Sequence, residues 1–372
     1  MKIALIHDHL TQEGGAEKVL QVLQDIYPQA PTYTLFYDAE KIKTFKDKKI
    51  ITSFLQKMPW ALKKYQMYLP LMPTATESYN LIDYDMVISS CSAFAKGVIT
   101  RSNTIHICYC HTPTRYLWSD THRYVEELGY NRIIKKIIPL ILTRLRQWDR
   151  LAADRVDYFL ASSKNVAKRI EKYYGRTSIV IYPPVETDKF KISDKLQNYF
   201  LIGGRLVAYK RYDLAIEAFN HLKIPLKIFG EGPERKNLEK MAKSNIEFLG
   251  KVNNEKLTEL YSQAQAFIHP QIEDFGITAV ESMASGRPVI AFAAGGALET
   301  VIEGKTGKLF DEQTWESLAD AVIRMQKEKY NPQSIKLHAE KFRTDRFKKE
   351  ITDFVNSHYQ KLEIDRRQVR IL

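Results

Sequence analysis

The feature that most constrains the fold is an alternation of short apolar runs with amphipathic stretches, which occurs twice along the chain. Short apolar runs followed by helical patterns predict parallel strands joined by crossover helices. In the first half the apolar runs lie at 3–6, 86–89, 104–108 and 158–162, and the first helical pattern begins at Gly15. In the second half they lie at 199–202, 226–229, 246–249, 266–269 and 289–292. The sequence therefore predicts two doubly wound, Rossmann-like α/β domains facing a central cleft.

The domain boundary is expected where the first alternation stops. The apolar run 179–185 ends in Pro183 and Pro184, which cannot continue a strand ladder. A chain of 372 residues is long enough for two domains. We expect an N-terminal domain over 1–195 and a C-terminal domain over 196–344, with a charged helix at about 345–372 packing back on the first domain.

Composition and charge narrow the class of protein. The chain has 56 basic and 44 acidic side chains, a net charge of +12, and 44% hydrophobic residues, which is ordinary for a globular protein. Its three cysteines, Cys91, Cys108 and Cys110, form neither a disulfide framework nor a zinc spacing. The N-terminus lacks the apolar core of a signal peptide. We therefore expect a cytoplasmic protein, with enough positive charge for peripheral attachment to anionic lipid.

Two glycine turns near predicted helix starts are suited to binding phosphate. Gly14 and Gly15 precede the first helical pattern, where free backbone N–H groups and the helix dipole favour an anion. A tight strand-to-helix turn explains the same pair equally well. After the strand at 199–202, Gly203 and Gly204 are followed by Arg205, Lys210 and Arg211. A guanidinium and an ammonium in such a turn are suited to a diphosphate.

Two glutamates enclose the most informative segment, 273–281. Asp274 and Gly276 mark a turn, and a helix is expected to begin near Ile277. The backbone N–H groups of residues 275–277 would then be donors at a helix start. Glu273 and Glu281 would lie on either side of the ligand, and carboxylates bind polyol hydroxyls well.

The order of the motifs resembles that of one enzyme family. The matching segments are Gly14-Gly15, His111-Thr112-Pro113, residues 182–185 (Tyr-Pro-Pro-Val), Arg205 with Lys210, residues 230–233 (Gly-Glu-Gly-Pro) and Glu273 to Glu281. This ordered set resembles glycosyltransferase family 4, which consists of retaining enzymes of the GT-B fold. The resemblance extends from residue 3 to about residue 345.

The resemblance implies a role for each candidate site residue. Gly14, Gly15, Arg205 and Lys210 would bind the donor diphosphate. His111 and Glu273 would be the catalytic residues at the transferred sugar, together with the backbone of Phe275, Gly276 and Ile277. Glu281 would bind the ribose, and Val252 and Asn254 would hold the nucleobase. The new bond would form on the face that the nucleotide leaves.

The resemblance also implies the substrates. The amino-acid sequence at residues 7–18 and 111–118 is similar to that of bacterial mannosyltransferases that build surface polysaccharides, so GDP-mannose is the leading donor. A UDP-sugar or dTDP-rhamnose donor stays open, as does a sugar-nucleotide epimerase of the same fold. We expect a lipid-linked or oligosaccharide acceptor, no cofactor and no metal, because cations can neutralise the diphosphate.

Two further segments have competing interpretations. Residues 41–66 hold eight lysines and one acid, interleaved with Phe45, Phe54, Met58, Trp60 and Tyr65. Such a segment is equally compatible with an inner-membrane contact and with ordinary packing under solvated lysines. Asp83 and Asp85 have the spacing of a metal-binding pair but directly precede an apolar strand, which favours a structural role. Nucleic-acid binding ranks last, because no base-reading module accompanies the charge.

Overall fold

A computed structural model describes residues 1–127 and 132–369. The chain divides into two compact units, the first comprising Met1–Tyr182 and Lys348–Leu372 and the second Pro183–Phe347. The division therefore lies at the proline pair and not near residue 195, because the chain after Tyr182 already packs on the second unit. The N–H of Val185 donates to the carbonyl of Phe342, and the Phe190 ring lies 5.7 Å from that of Tyr261.

Within the described residues, the first unit is built on a seven-stranded parallel sheet. Its strands are β1 (Ile3–His7), β2 (Thr32–Thr34), β3 (Ile50–Thr52), β4 (Met86–Cys91), β5 (Ile105–Cys110), β6 (Tyr158–Ala161) and β7 (Ser178–Val180). Their spatial order is β3-β2-β1-β4-β5-β6-β7, so the order reverses between β1 and β4. The predicted parallel, doubly wound arrangement is confirmed, although β2 and β3 were not predicted.

The helices of the first unit connect these strands. They are α1 (Gly15–Ile26), α2 (Met72–Glu77), α3 (Arg115–Trp118), α4 (Thr121–Glu127), α5 (Arg132–Asp154) and α6 (Lys164–Tyr174). Helix α6 is capped at its N-terminus by Ser163, whose hydroxyl accepts from the N–H of Val166, and at its C-terminus by Gly175 in the left-handed conformation. Apolar side chains of β1, β4, β5 and α6 form one core, which includes Ile6, Val87 and Ile170.

The carboxylate of Asp8, just after β1, organises the turn after β4. It accepts hydrogen bonds from the backbone N–H groups of Ser92, Ala93, Phe94 and Ala95 at 2.6–2.9 Å. Asp8 is buried, so these four donors and the carboxylate satisfy one another away from water. The contact fixes the turn after β4 to the carboxyl end of β1.

A second buried carboxylate, that of Asp149, anchors α5. It accepts from the hydroxyl of Thr114 at 2.9 Å, the indole N–H of Trp118 at 2.7 Å and the hydroxyl of Tyr174 at 2.9 Å. It also pairs with the ammonium of Lys96, and both charged side chains are only 1% exposed. Burial alone would lower the pKa of Lys96, but the Asp149 carboxylate raises it above its ordinary value. Lys96 therefore keeps its charge although it is buried.

The described part of the second unit contains a six-stranded parallel sheet of order β10-β9-β8-β11-β12-β13. Its strands are β8 (Phe200–Gly203), β9 (Leu226–Phe229), β10 (Ile246–Gly250), β11 (Phe267–His269), β12 (Val289–Phe292) and β13 (Gly307–Phe310). Its helices are α7 (Tyr212–Leu222), α8 (Arg235–Met241), α9 (Asn254–Gln263), α10 (Ile277–Ala284), α11 (Ala297–Thr300), α12 (Trp315–Gln326) and α13 (Pro332–Ala339). The order reverses between β8 and β11, as expected for a second doubly wound domain.

The last helix, α14 (Thr344–Val369), begins in the second unit and continues in the first. Phe347, Ile351 and Val355 are buried, and the Phe354 ring lies 5.8 Å from the ring of Tyr158 on β6. The predicted helix extended to residue 372, and residues 370–372 lie outside the described part of the chain. Among the described helices, none combines the length and apolar character needed to cross a membrane.

Candidate functional site

The second unit places its candidate residues where its strand order reverses. In open parallel sheets, ligands bind beyond the carboxyl ends of the strands at such a point. Strand β8 leads into Gly204, Arg205 and Lys210, and β11 leads into the loop that carries Glu273. Because β8 and β11 are neighbours, segments about sixty residues apart meet at one edge of the sheet.

Lys210 and Glu273 form the centre of this edge. The ammonium of Lys210 lies 3.1 Å from Oε1 of Glu273, and the two side chains are 12% and 18% exposed. Burial alone would raise the pKa of Glu273, but Lys210 and His269 lower it to about 2. Burial likewise opposes the charge of Lys210, and Glu273 raises the pKa of that lysine. Both groups are therefore ionised, and a small part of the lysine side chain stays exposed.

Glycine is required around Lys210 for reasons of space. At Gly204, which has a φ of +123°, a side chain would extend to within 3.2 Å of the Lys210 ammonium and 3.5 Å of the Tyr212 hydroxyl. At Gly230 it would overlap the carbonyl of Gly204, and at Gly232 the carbonyl of Leu206. The two glycine turns after β8 and β9 thus pack backbone against backbone. Any larger residue at these positions would push the two turns apart.

The segment from Glu273 to Ile277 is a half-buried turn that packs over the buried ring of Phe275. The Phe275 side chain is 5% exposed and packs on Phe342, with the ring centroids 5.3 Å apart, so only its backbone is available to a ligand. Gly276 precedes α10 with a φ of +92°, and Ile277 is the first residue of the helix. The first N–H groups of α10 have no partner within the helix. A second glycine loop supports the turn, because the N–H of Gly296 donates to the carbonyl of Glu273.

Two polar residues of this site were missed by the sequence analysis. The amide nitrogen of Gln271 lies 3.1 Å from Nδ1 of His269 and 3.3 Å from Oε1 of Glu273. Burial lowers the pKa of His269, which is therefore neutral near pH 7. Gln271 thus bridges the histidine to the carboxylate and fixes the orientation of Glu273. Both residues sit on β11 or directly after it, and the strand end was the signal that could have identified them.

Glu281 lies in α10 and is 5% exposed. Its Oε2 accepts a hydrogen bond from the hydroxyl of Tyr261 on α9 at 3.1 Å. The carboxylate is therefore much less accessible than the ligand-facing group that the motif predicts, and its ribose role stays a prediction. Burial raises the pKa of Tyr261, and the neighbouring Glu281 carboxylate adds to that shift.

The other residues of the second unit that the sequence places near the nucleotide-sugar donor differ in solvent exposure. Arg205 is exposed, whereas Arg211 has a φ of +55° and pairs with Asp213 instead of joining Lys210. Val252 is half-buried, and Asn254 is exposed at the first turn of α9. The roles of Arg205, Val252 and Asn254 stay predictions.

In the first unit, His111 and the glycine pair lie around the reversal between β1 and β4. His111 follows β5, and its Nε2 lies 2.8 Å from the hydroxyl of Ser90 at the end of β4. Burial lowers the pKa of His111 to about 4, and His7 adds to that shift. Gly14 precedes α1, and the carboxylate of Glu17 lies beside it. The diphosphate role of Gly14 and Gly15 stays a prediction, and the neighbouring carboxylate does not favour it.

The remaining candidates have local explanations. The Asp85 carboxylate accepts from the N–H of Lys2 at 2.8 Å, as its position before β4 predicts. Cys91, Cys108 and Cys110 are free thiols buried in β4 and β5. No group of His, Cys, Asp or Glu residues with the arrangement of a metal site occurs in residues 1–127 and 132–369.

Comparison with known proteins gives consistent matches. Residues 185–342 match the family model described as glycosyl transferases group 1. An alpha-1,3/1,6-mannosyltransferase of Dictyostelium discoideum is 24% identical over 73% of this chain and 72% of its own length. A GDP-mannose-dependent alpha-(1-6)-phosphatidylinositol monomannoside mannosyltransferase of Mycolicibacterium smegmatis is 28% identical over 56% of this chain and 60% of its own length.

The solved structures agree in fold. HepE of Anabaena, in complex with UDP, has a TM-score of 0.71 and 20% identity over 96% of this chain and 100% of its own. Among the curated relatives, coverage is less even, since one match spans 52% of the length of an archaeal glycosyltransferase that is itself uncharacterized. The family model over residues 185–342, the curated relatives and the two parallel sheets together support a glycosyltransferase of the family 4 type, with the two-domain GT-B architecture.

Proposed function

We propose that the protein is a retaining hexosyltransferase that moves mannose from GDP-mannose to a lipid-linked or saccharide acceptor, in the synthesis of a surface polysaccharide or glycolipid. The mannosyl specificity is supported by the mannosyltransferase activities of the relatives in Dictyostelium and Mycolicibacterium. Because these relatives match only part of this chain, their substrates serve as support for the proposed donor and acceptor. A UDP-sugar is the alternative donor, since HepE was solved with UDP.

The observation that carries the proposal is the charged Lys210 beside Glu273 at the strand-order reversal of the second unit. A cation held in a partly desolvated turn is placed to stabilise the negative charge that develops on a leaving diphosphate. Glu273, ionised with a pKa of about 2, supplies an anion suited to sugar hydroxyls or to a sugar that gains positive charge. Since Lys210 provides the counter-charge, the transfer step is proposed to need neither a metal ion nor a cofactor.

Nucleotide stabilisation tests the proposed donor. We expect GDP and GDP-mannose to raise the thermal unfolding midpoint, with UDP and dTDP compounds having smaller effects, both with magnesium and with a chelator. A ligand that binds only the folded state adds about 2.7 kcal/mol at a concentration of 100 Kd. Larger stabilisation by UDP compounds would make a UDP-sugar the donor and would leave the proposed nucleotide site unchanged. Absence of stabilisation by every nucleotide would contradict the proposal.

Glu281→Ala is expected to weaken GDP binding roughly 10-fold or more, if the carboxylate binds the ribose through charge-assisted hydrogen bonds. Calorimetric titration with GDP measures this change. Tyr261→Phe is the matched control, because it removes the hydroxyl that contacts Glu281 and leaves the carboxylate in place. Unchanged affinity in Glu281→Ala, or an equal loss in both variants, would show that Glu281 acts through packing and not on the ligand.

We also propose that the protein works at the inner face of the cytoplasmic membrane, through the basic segment 41–66 and the turns that follow it. Phe54, Met58, Trp60, Met67 and Leu71 are 38–65% exposed. Leu55 and Ala61 are buried and anchor the same segment to the core. Of the five apolar residues predicted for this surface, Phe45 is buried and Tyr65 half-buried, so neither contributes a free side chain. Exposed rings among lysines are suited to an anionic lipid interface.

Vesicle flotation tests this contact. The protein is expected to float with phosphatidylglycerol vesicles, to float less with phosphatidylcholine, and to detach as salt screens its lysines. Phe54→Ser with Trp60→Ser should weaken binding roughly 100-fold or more, since each of the two buried aromatic rings contributes about 1.5 kcal/mol or more. Leu337→Ser, which removes a 73% exposed apolar side chain from the second unit, is the control. Equal flotation of all three proteins would contradict the proposal.

A further inference from the structure

A chain of four polar side chains leads from α1 to His111 inside the first unit. Nε2 of His111 lies 2.8 Å from the hydroxyl oxygen of Ser90, which lies 3.1 Å from Nδ1 of His7. On the other side of the His7 ring, Nε2 lies 3.7 Å from Oε1 of Glu17. Ser90, His7 and Glu17 are each less than 9% exposed, so these polar groups contact one another and not bulk water.

The atom that carries each hydrogen of this chain can be assigned step by step, starting at Glu17 and moving toward His111. Burial would raise the pKa of Glu17, but His7 and the backbone N–H of Glu17 itself lower it, so the carboxylate is ionised and can only accept. It therefore favours a proton on Nε2 of His7. In a neutral imidazole this leaves Nδ1 of His7 as an acceptor, so the single hydrogen of the Ser90 hydroxyl points to His7.

With His7 in this neutral form, the link between Ser90 and His111 has one solution. The oxygen of Ser90 has used its hydrogen and can only accept from the His111 side. His111 is neutral near pH 7, so its one ring hydrogen lies on Nε2, facing Ser90. We propose that Glu17, His7 and Ser90 are positioning residues that hold His111 in the Nε2–H tautomer, with Nδ1 as a hydrogen-bond acceptor.

This assignment makes His111 an acceptor for a substrate hydroxyl and not a donor to a substrate oxygen. Its meaning for sugar transfer rests on the proposed function, whereas the tautomer itself rests only on contacts within the first unit. The two can therefore fail separately. Asp8, His7 and Glu17 act electrostatically on His111, and His9 acts on Glu17. The Tyr109 ring also faces His111, with the ring centroids 5.2 Å apart.

The test is ¹⁵N NMR of the full-length protein labelled at its histidine rings, at pH 7.5 and without nucleotide. The signals of His111 are assigned by their loss in His111→Gln. We expect the shift of a protonated nitrogen at Nε2 and of an unprotonated nitrogen at Nδ1. The opposite pattern in the unmodified protein would overturn the proposal, whatever the variants do.

Two variants then test the positioning role. His7→Phe keeps a ring of similar size but frees the Ser90 hydroxyl to donate to His111, and Ser90→Ala removes the bridge. Both are expected to move the two His111 shifts toward the averaged values of mixed tautomers. Unchanged shifts in either folded variant would show that the chain does not set the tautomer. Ser90→Thr, which keeps the hydroxyl, is expected to retain the pattern of the unmodified protein.

Discussion

Lys210→Ala is expected to reduce the affinity for GDP roughly 10- to 100-fold, because a charge-assisted hydrogen bond contributes about 1.5–3 kcal/mol. The ammonium lies beside the turn at Gly204, and it shares its charge with Glu273 before a ligand binds. GMP, which lacks the outer phosphate, should lose less affinity than GDP. Calorimetric titration of both nucleotides measures the two losses. Equal losses would show that Lys210 does not contact the outer phosphate.

Two controls separate ligand binding from folding. Lys240→Ala removes the same charge from an exposed position of α8 and should leave GDP affinity unchanged. Lys210→Ala also leaves the Glu273 carboxylate partly buried without its counter-charge, which destabilises the fold. The double variant Lys210→Ala with Glu273→Gln removes both charges, so it should regain stability without regaining GDP affinity. Recovery of both would mean that Lys210 acts on the fold alone.

The same pair has a pH signature. The pKa of Glu273 in the folded protein, about 2, lies below its ordinary value of 4.5. The ion pair therefore contributes stability that is present above pH 4.5 and is lost as the pH falls from 4.5 toward 2. In Lys210→Ala the pKa of Glu273 rises, so this part of the acid destabilisation is expected to shrink.

The parallel sheets could be predicted because their central strands are buried on both faces. Such strands appear as continuous apolar runs, as at Ile3–His7 and Val289–Phe292. The three strands that were missed are short or interrupted by polar residues. Thr32–Thr34 and Ile50–Thr52 have three residues each, and Gly307–Phe310 contains a lysine. The hydrophobic pattern of such short strands is too brief to distinguish them from the loops around them.

The candidate site could be predicted only where its chemistry is local. Glycine turns followed by cations, and two glutamates around a helix start, are visible as spacing. The buried partners are not, because Asp8 meets the turn at 92–95 and His7 meets Ser90 across more than eighty residues. The domain boundary was placed too late for a related reason: packing of 183–195 on the second unit is a tertiary contact, while the sequence shows only where strands stop.

The largest loss of stability is expected for Asp149→Asn. Removing one charge of a buried ion pair costs about 3–5 kcal/mol, because the other charge stays buried without a partner. Here the ammonium of Lys96 would be left 1% exposed, and the amide would present hydrogens to some of the donors that the carboxylate accepts from. Urea unfolding followed by tryptophan fluorescence measures the loss, since Trp60, Trp118 and Trp148 all lie in the first unit.

The matched control for this variant lies on the same helix. Asp154 pairs with Arg150 one turn away at 2.6 Å, but its side chain is 53% exposed. An exposed pair of this kind contributes about 0–1 kcal/mol. Asp154→Asn should therefore lower the free energy of unfolding by about 1 kcal/mol or less. Lys96→Met combined with Asp149→Asn removes both buried charges and is expected to recover part of the loss. If Asp149→Asn and Asp154→Asn destabilised the first unit equally, the buried pair would not be what anchors α5 to the core.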